Sequence, residues 1–202
     1  MSHIAQSRDF ETGNHLERMA HYARLIARKV APHFGFDDVF IEYLFLFAPL
    51  HDIGKVAVPD AVLLKPGRLT GEEFDIIKTH CERGVQMVDA MLENFGLDSF
   101  LYADMLRAIV LAHHEALDGS GYPHALKAEE IPVAARIVAV ADVLDALTSA
   151  RPYKAAWTLD EALAMLRDNA GKKFDAVCVQ ALLDHRDEVE EIRRQFVEDY
   201  FG

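Results

Sequence analysis

The chain has 202 residues, about half of them apolar, with 33 acidic against 21 basic side chains and a formal net charge of -12. That is enough material for one buried core, so neither disorder nor a disulfide-stapled miniature is needed. The acidic balance argues against broad electrostatic binding of a nucleic acid polymer or an anionic membrane surface. Cys81 and Cys178 fit neither a CxxC pair nor a disulfide framework, the apolar run from Tyr43 to Leu50 is too short to cross a bilayer, and the N-terminus carries no apolar leader. These features make the cytoplasm the expected compartment and exclude membrane insertion.

Taken in chain order, the periodicity is helical nearly everywhere. A first helix is predicted from about Asn14 to Val30, with Leu16, Ala20, Ala23 and Ala27 on one face, and a second from Asp38 to Asp52, stopping at Gly54. Val56 to Arg68 carries Pro59, Pro66 and Gly67 and reads as an ordered excursion rather than helix. Thr70 and Glu73 form a capping box that opens a helix to about Asn94, and another helix is predicted from Asp98 to about Leu117. The stretch Asp118-Gly-Ser-Gly-Tyr-Pro-His124 is a strong turn signal. Pro132 opens a helix to Ser149, and Arg151-Pro-Tyr-Lys154 follows its end. A second capping box, Thr158 with Glu161, precedes the next helix. The last helix begins near Phe174 and turns charged after His185; its tail is either solvated or a dimer contact through Val189, Ile192, Phe196 and Val197. With no repeat and no linker, the expectation is a single all-α domain over residues 1–202, a helical bundle with functional loops at one end, a core of about 11–183 and a charged helix at 184–202.

Several residues on this scaffold carry chemistry. His51-Asp52 ends an apolar helix; alone, the pair reads equally as a polar cap. His113-His114 ends another helix and could simply be solvated, and His80 on its helical face could be a satisfied core residue. Asp142 is harder to dismiss, because RIVAVADVLDAL is apolar on almost every side and a carboxylate buried there needs a partner or a metal. Asp145 lies on the adjoining part of that face and reads equally as ligand or as supporting hydrogen-bond partner. Glu11 and His15 share one side of a helix if that helix starts early enough. Leaving Asp145 aside, they make a set of five histidines and three carboxylates with no thiolate. Such a set suits iron, manganese, nickel or zinc, and is large enough for two or three ions.

The ordered motifs HDIGK, His80, HHE, DGSGYP, ADVLDALTS and RPYK resemble the HD-GYP family, bacterial phosphodiesterases of the HD superfamily that degrade cyclic di-GMP, over about Glu11 to Leu183. The resemblance implies that His51, Asp52, His80, His113, His114 and Asp142 are metal ligands with Asp52 bridging. It adds His15 as a further ligand, and Glu11 as the glutamate of members able to hold three metals rather than two. Iron or manganese is expected first, nickel or zinc next. Lys55 corresponds to the lysine that contacts the scissile phosphate, Arg151 and Lys154 to positions that hold substrate phosphates, and Tyr122 to the tyrosine of the GYP motif, which either packs under its loop or touches base or ribose. The implied reaction is hydrolysis of cyclic di-GMP to pGpG or GMP by a metal-bridging hydroxide. Alternatives are hydrolysis of 3′,3′-cyclic GMP-AMP, and a non-catalytic module that senses the nucleotide or docks on a diguanylate cyclase or a regulatory domain. The glycines that usually follow GYP are replaced within His124-Ala125-Leu126-Lys127-Ala128, which implies a loop with less backbone freedom. Family members usually follow a receiver or sensor domain, whereas only about ten residues precede Glu11, so a free-standing form or a piece of a longer protein is expected.

Overall fold

The apolar stretch bounded by Pro132 and Ser149 forms a helix capped by those two residues, and the rest of the fold is arranged around it. The structure is a computed structural model describing residues 13–97, 100–150 and 155–196. In chain order its helices are α1 (Gly13–Phe34), α2 (Asp38–Phe47), α3 (Asp60–Leu63), α4 (Gly71–Lys78), α5 (His80–Asn94), α6 (Ala103–Ala112), α7 (Val133–Thr148), α8 (Leu159–Asp168), α9 (Ala176–Asp184) and α10 (Arg186–Gln195), with 3-10 turns at Ala48–Leu50, Ile53–Ala57 and Ala128–Glu130. Among the described residues there is no strand beyond isolated bridge pairs, so the all-α expectation holds. None of these helices is long and apolar enough to cross a membrane.

Helix α7 is apolar almost all round because it is buried almost all round. Ala135, Ile137, Val138, Val140, Ala141 and Leu144 are fully buried, and α7 packs against α1, α6, α8 and α9. Helix α1 turns Leu16, Ala20, Ala23 and Ala27 inward, the face its periodicity announced. Both capping boxes form, at Thr70 with Glu73 and at Thr158 with Glu161.

Element ends differ from the expectations for local chemical reasons. Helix α1 runs past Val30 through Pro32 and closes at Gly35, whose φ of 75° suits a residue without a β-carbon. Helix α2 stops at Phe47 rather than Asp52: Pro49 has no amide hydrogen to donate, and the chain tightens into the 3-10 turn Ala48–Leu50. Gly54 is not a stop but lies inside the next 3-10 turn. The helix expected from Thr70 to Asn94 is broken at Thr79, whose amide and hydroxyl both reach the Ile76 carbonyl, at 3.2 and 2.7 Å. The expected excursion at Val56 to Arg68 contains the single turn α3. The next helix is confined to Ala103–Ala112, so His113 and His114 stand just beyond its end. Asp175 caps α9 by accepting from the amides of Val177 and Cys178.

The expected last helix is broken at His185 into α9 and α10. The tail forms α10, an amphipathic helix whose Arg186, Asp187 and Glu188 are exposed, as expected of a solvated helix, while its apolar face turns inward. Val189 is fully buried, Ile192 packs against the main core, and the Phe196 ring lies 4.8 Å from that of His21. The apolar face of α10 is therefore spent on α1 within the same chain. Val197 lies outside the described residues.

One close approach fixes the site end. A β-carbon on Gly54 would strike the His80 carbonyl and the backbone of Gly84, and one on Gly84 would meet Val110 Cγ1 at 2.5 Å. The glycine of HDIGK thus lets the turn after Asp52 lie backbone to backbone on α5, which brings Asp52 beside His80.

Candidate metal centre

Five separate elements deliver the expected ligands. His15 comes from α1, His51 and Asp52 from the junction of two 3-10 turns, His80 from the first turn of α5, His113 and His114 from the end of α6, and Asp142 from α7. They converge as two sets: Asp52, His80, His113 and His114 each offer one donor atom within 4.8 Å of the others, and His15, His51 and Asp142 do the same. The sets join at the HD pair, where His51 Nε2 lies 3.2 Å from Asp52 Oδ2 and 3.8 Å from Asp142 Oδ1.

The back of each imidazole fixes which nitrogen faces the centre. Nδ1 of His51, His80 and His113 lies 2.9, 2.7 and 3.0 Å from the carbonyls of Ala48, Ile77 and Ile109. A carbonyl only accepts, so each Nδ1 carries a proton and each Nε2 is the atom turned toward the centre. His15 is held differently: its Nδ1 donates to Asp145 Oδ2 at 2.6 Å. Asp145 is fully buried and also accepts from Arg18 Nε at 2.5 Å, Arg18 Nη2 at 3.1 Å and Ser149 Oγ at 3.0 Å. Asp145 is thus the supporting partner of the two roles open to it, and it is more deeply buried than Asp142, whose side chain is 15 % exposed.

The electrostatics suit cations. Burial opposes ionisation of Asp52, but Lys55, His51 and His113 outweigh it and hold the carboxyl well below its ordinary range. Burial pushes His80 down, yet the Asp52 carboxylate at 3.1 Å carries it up to about 10. His113 and His114 are lowered, chiefly by burial, His114 further by the neighbouring His113. His113 Nε2 is buried with no hydrogen bond of its own, and Asp52 Oδ1 is 3.5 Å away, too far for a good one. A nitrogen lone pair held out of water beside an ionised carboxylate is what a divalent ion would satisfy, and oxygen with imidazole nitrogen is a suitable donor set.

The remaining expected site residues divide. Lys55 Nζ stands 2.8 Å from Asp52 Oδ2, at the mouth of the set. The Tyr122 ring lies 4.6 Å from His114, 5.9 Å from Phe74 and 6.4 Å from His80, and burial raises its phenol above the ordinary range. Glu11, Arg151 and Lys154 lie outside the described residues. In the loop after GYP, Ala125 and Ala128 sit at φ 53° and 44°. Both alanines thus hold the left-handed backbone that glycine favours, which strains the loop.

Three features escaped the sequence reading. Glu115 accepts the amides of His124 and Leu126 at 2.7 and 3.0 Å and so clamps the GYP loop; its place after His113-His114 was the available signal. Arg18 had none, since its partner is 127 residues away. Cys81 Sγ lies 3.4 Å from His80 Nε2, placing a sulfur beside a donor set counted as free of thiolate.

The sequence pattern of the HD domain matches residues 1–177. The chain belongs to the HD domain family. The resemblance to its HD-GYP branch is borne out by the relatives, and an HD domain implies divalent-metal binding. The cyclic di-GMP phosphodiesterase response regulator of Xanthomonas campestris is 45 % identical over 196 residues, covering 97 % of this chain and 49 % of that protein. A 3′3′-cGAMP-specific phosphodiesterase of Vibrio cholerae is 36 % identical over 193 residues, covering 96 % of this HD domain and 35 % of that protein. Among solved structures, an HDG"Y"P protein of Bdellovibrio bacteriovorus superposes with a TM-score of 0.61 at 22 % identity over 85 % of this chain and 52 % of that one, a likeness of fold. The chain thus spans at most about half the length of these curated relatives.

Proposed function

We propose that this HD domain is a metal-dependent phosphodiesterase that hydrolyses cyclic di-GMP. The observation that carries the reading is the pair of ligand sets joined at His51-Asp52. The relatives named as cyclic di-GMP phosphodiesterases support the choice of substrate. We also read the chain as one domain with its core at about 11–183 and a charged C-terminal segment at 184–202, of which α10 packs on α1.

Divalent cations at such a centre supply Lewis acidity, making water nucleophilic near pH 7 and drawing charge from phosphoryl oxygens. The chain's own residues do the rest. Nε2 of His15, His51, His80 and His113, together with His114, Asp52 and Asp142, form the holding set, with Asp52 shared between its halves. Asp145 and Arg18 keep the Nε2 lone pair of His15 turned inward by fixing the proton on Nδ1. Lys55 offers its ammonium to a non-bridging phosphoryl oxygen, and Arg151 and Lys154 neutralise substrate phosphates. Tyr122 walls the centre off on the His114 side. Iron or manganese fits this oxygen and nitrogen set, with nickel or zinc as substitutes. Glu11 would complete a third position.

Product analysis on cyclic di-GMP, with anaerobic metal analysis of freshly made protein, tests the reading. Formation of pGpG or GMP by metal-replete protein is expected; binding without product would replace the enzyme by a sensing module. Other relatives are named as 3′3′-cGAMP-specific phosphodiesterases, so turnover of both nucleotides should be compared, with cyclic di-GMP expected to be the better substrate. For Glu11→Ala the expectation is loss of about one metal equivalent, and unchanged stoichiometry would reject a third site.

A further inference from the structure

Cys81 and Cys178 are both free and fully buried, yet their surroundings differ. A buried cysteine is by default a small apolar residue. Cys178 fits that description: it packs in the main core, where burial pushes its thiol up. Cys81 does not. Its sulfur lies 3.4 Å from Nε2 of His80, the nitrogen turned toward the centre. Asp52 Oδ1 stands 3.1 Å from the same nitrogen, and His113 Nε2 is 3.5 Å from that oxygen. Donors that share one divalent ion, nitrogen and oxygen at about 2.0–2.2 Å and thiolate sulfur at about 2.3 Å, stand about 3–3.5 Å from one another. All three separations fall in that range. His113 is 2 % exposed and points a buried nitrogen with no hydrogen bond into the same space, so the protein holds an unsatisfied donor there.

Resting on the metal-centre reading and not on the identity of the nucleotide, we infer that Cys81 is a sulfur ligand to the ion held by Asp52, His80 and His113. The sulfur is not one of the four donor atoms that all lie within 4.8 Å of one another, so it adds a donor at the His80 end of that set rather than replacing a member. Its place in the first turn of the 15-residue α5 sets the positive end of the helix dipole behind an anionic sulfur. Binding exchanges the S–H bond for a metal–sulfur bond, and the proton leaves to solvent. A thiolate changes which ions the centre holds, because soft sulfur selects zinc or iron(II) over manganese, which is content with oxygen donors. Cys81 is therefore the residue that sets metal preference in a centre otherwise made of nitrogen and oxygen.

The test adds cobalt(II), a spectroscopic stand-in for zinc and iron(II), to the metal-stripped full chain without oxygen. A sulfur-to-cobalt charge-transfer band in the near ultraviolet is expected for the wild type. Cys178→Ala should keep the band, which leaves Cys81 as its cysteine source whether or not a Cys81 variant folds. Cys81→Ser should lose the band while still binding cobalt. Competition read by elemental analysis should show the preference for zinc over manganese falling about 10–100-fold in Cys81→Ser, the usual cost of losing a contact that tunes a bound ion. Serine keeps a hydrogen-bonding group beside His80, so a cysteine that merely positions the ring would be rescued by it. Bound cobalt without the band in the wild type, a band lost in Cys178→Ala or kept in Cys81→Ser, or an unchanged preference for zinc overturns the sulfur ligand and leaves the phosphodiesterase reading in place. A wild-type chain that binds none of these ions overturns the centre and this inference with it.

Discussion

The two sides of the candidate centre are built by different means. On the side of His51, His80 and His113, each imidazole is anchored three or four residues back, to a carbonyl of its own turn. On the side of His15, the anchor is Asp145, 130 residues away, held in turn by Arg18. A main-chain anchor cannot be deleted by changing a side chain, whereas a buried ion pair fails as soon as one member is lost. The first side should therefore tolerate substitution, and the second should behave as all or none.

The most damaging change should be at the junction of the two sides. Asp52→Ala is expected to reduce turnover to background and to lower metal content; wild-type turnover would refute the assignment. Next comes the long-range side. Asp145→Asn leaves Arg18 buried without its carboxylate, which should cost about 3–5 kcal/mol and weaken metal binding about 10–100-fold, read by chemical denaturation and metal titration. If the Asn variant matches wild type in both, the ion pair is not what holds His15. Ile109→Val, on the local side, spares the carbonyl that anchors His113 and should cost only about 0.5–1.5 kcal/mol, with metal affinity unchanged. Altered affinity would erase the contrast.

Acidity separates the metal-free from the loaded protein. His80 is raised to about 10 in the fold, so its contribution is fully present below the unfolded value near 6.5 and is lost as the pH climbs toward 10. Metal-stripped protein should therefore lose stability across that window. Loading must expel the His80 proton, so metal binding should tighten as the pH rises and proton release should be detectable by pH indicator. A flat melting temperature for the stripped protein from pH 6.5 to 10 would contradict the charged His80. The smallest expected effect is in the GYP loop: Ala125→Gly relieves a left-handed alanine and should gain a few tenths to about 1 kcal/mol after glycine's extra unfolded-state entropy. A loss on thermal melting would show that the loop is not strained there.

What the sequence made legible follows the same division. The candidate ligands that converge were readable because each sits in a local motif: HD before a glycine, paired histidines at a helix end, an aspartate in an otherwise apolar helix. The helical class and both capping boxes were readable for the same reason, since they depend on residues within a turn of one another. The breaks at Pro49 and Thr79 were missed because helical periodicity continues across them while the hydrogen bonding does not. Arg18 was missed because its significance depends on elements far apart in the chain.

Arg18 has one further bond, from Nη1 to the Phe196 carbonyl at 2.8 Å. The guanidinium that steadies a catalytic-side imidazole thus also grips the backbone just past the final described helix. One side chain, Arg18, therefore ties the His15 anchor and the end of α10 together, so losing its guanidinium should loosen both at once.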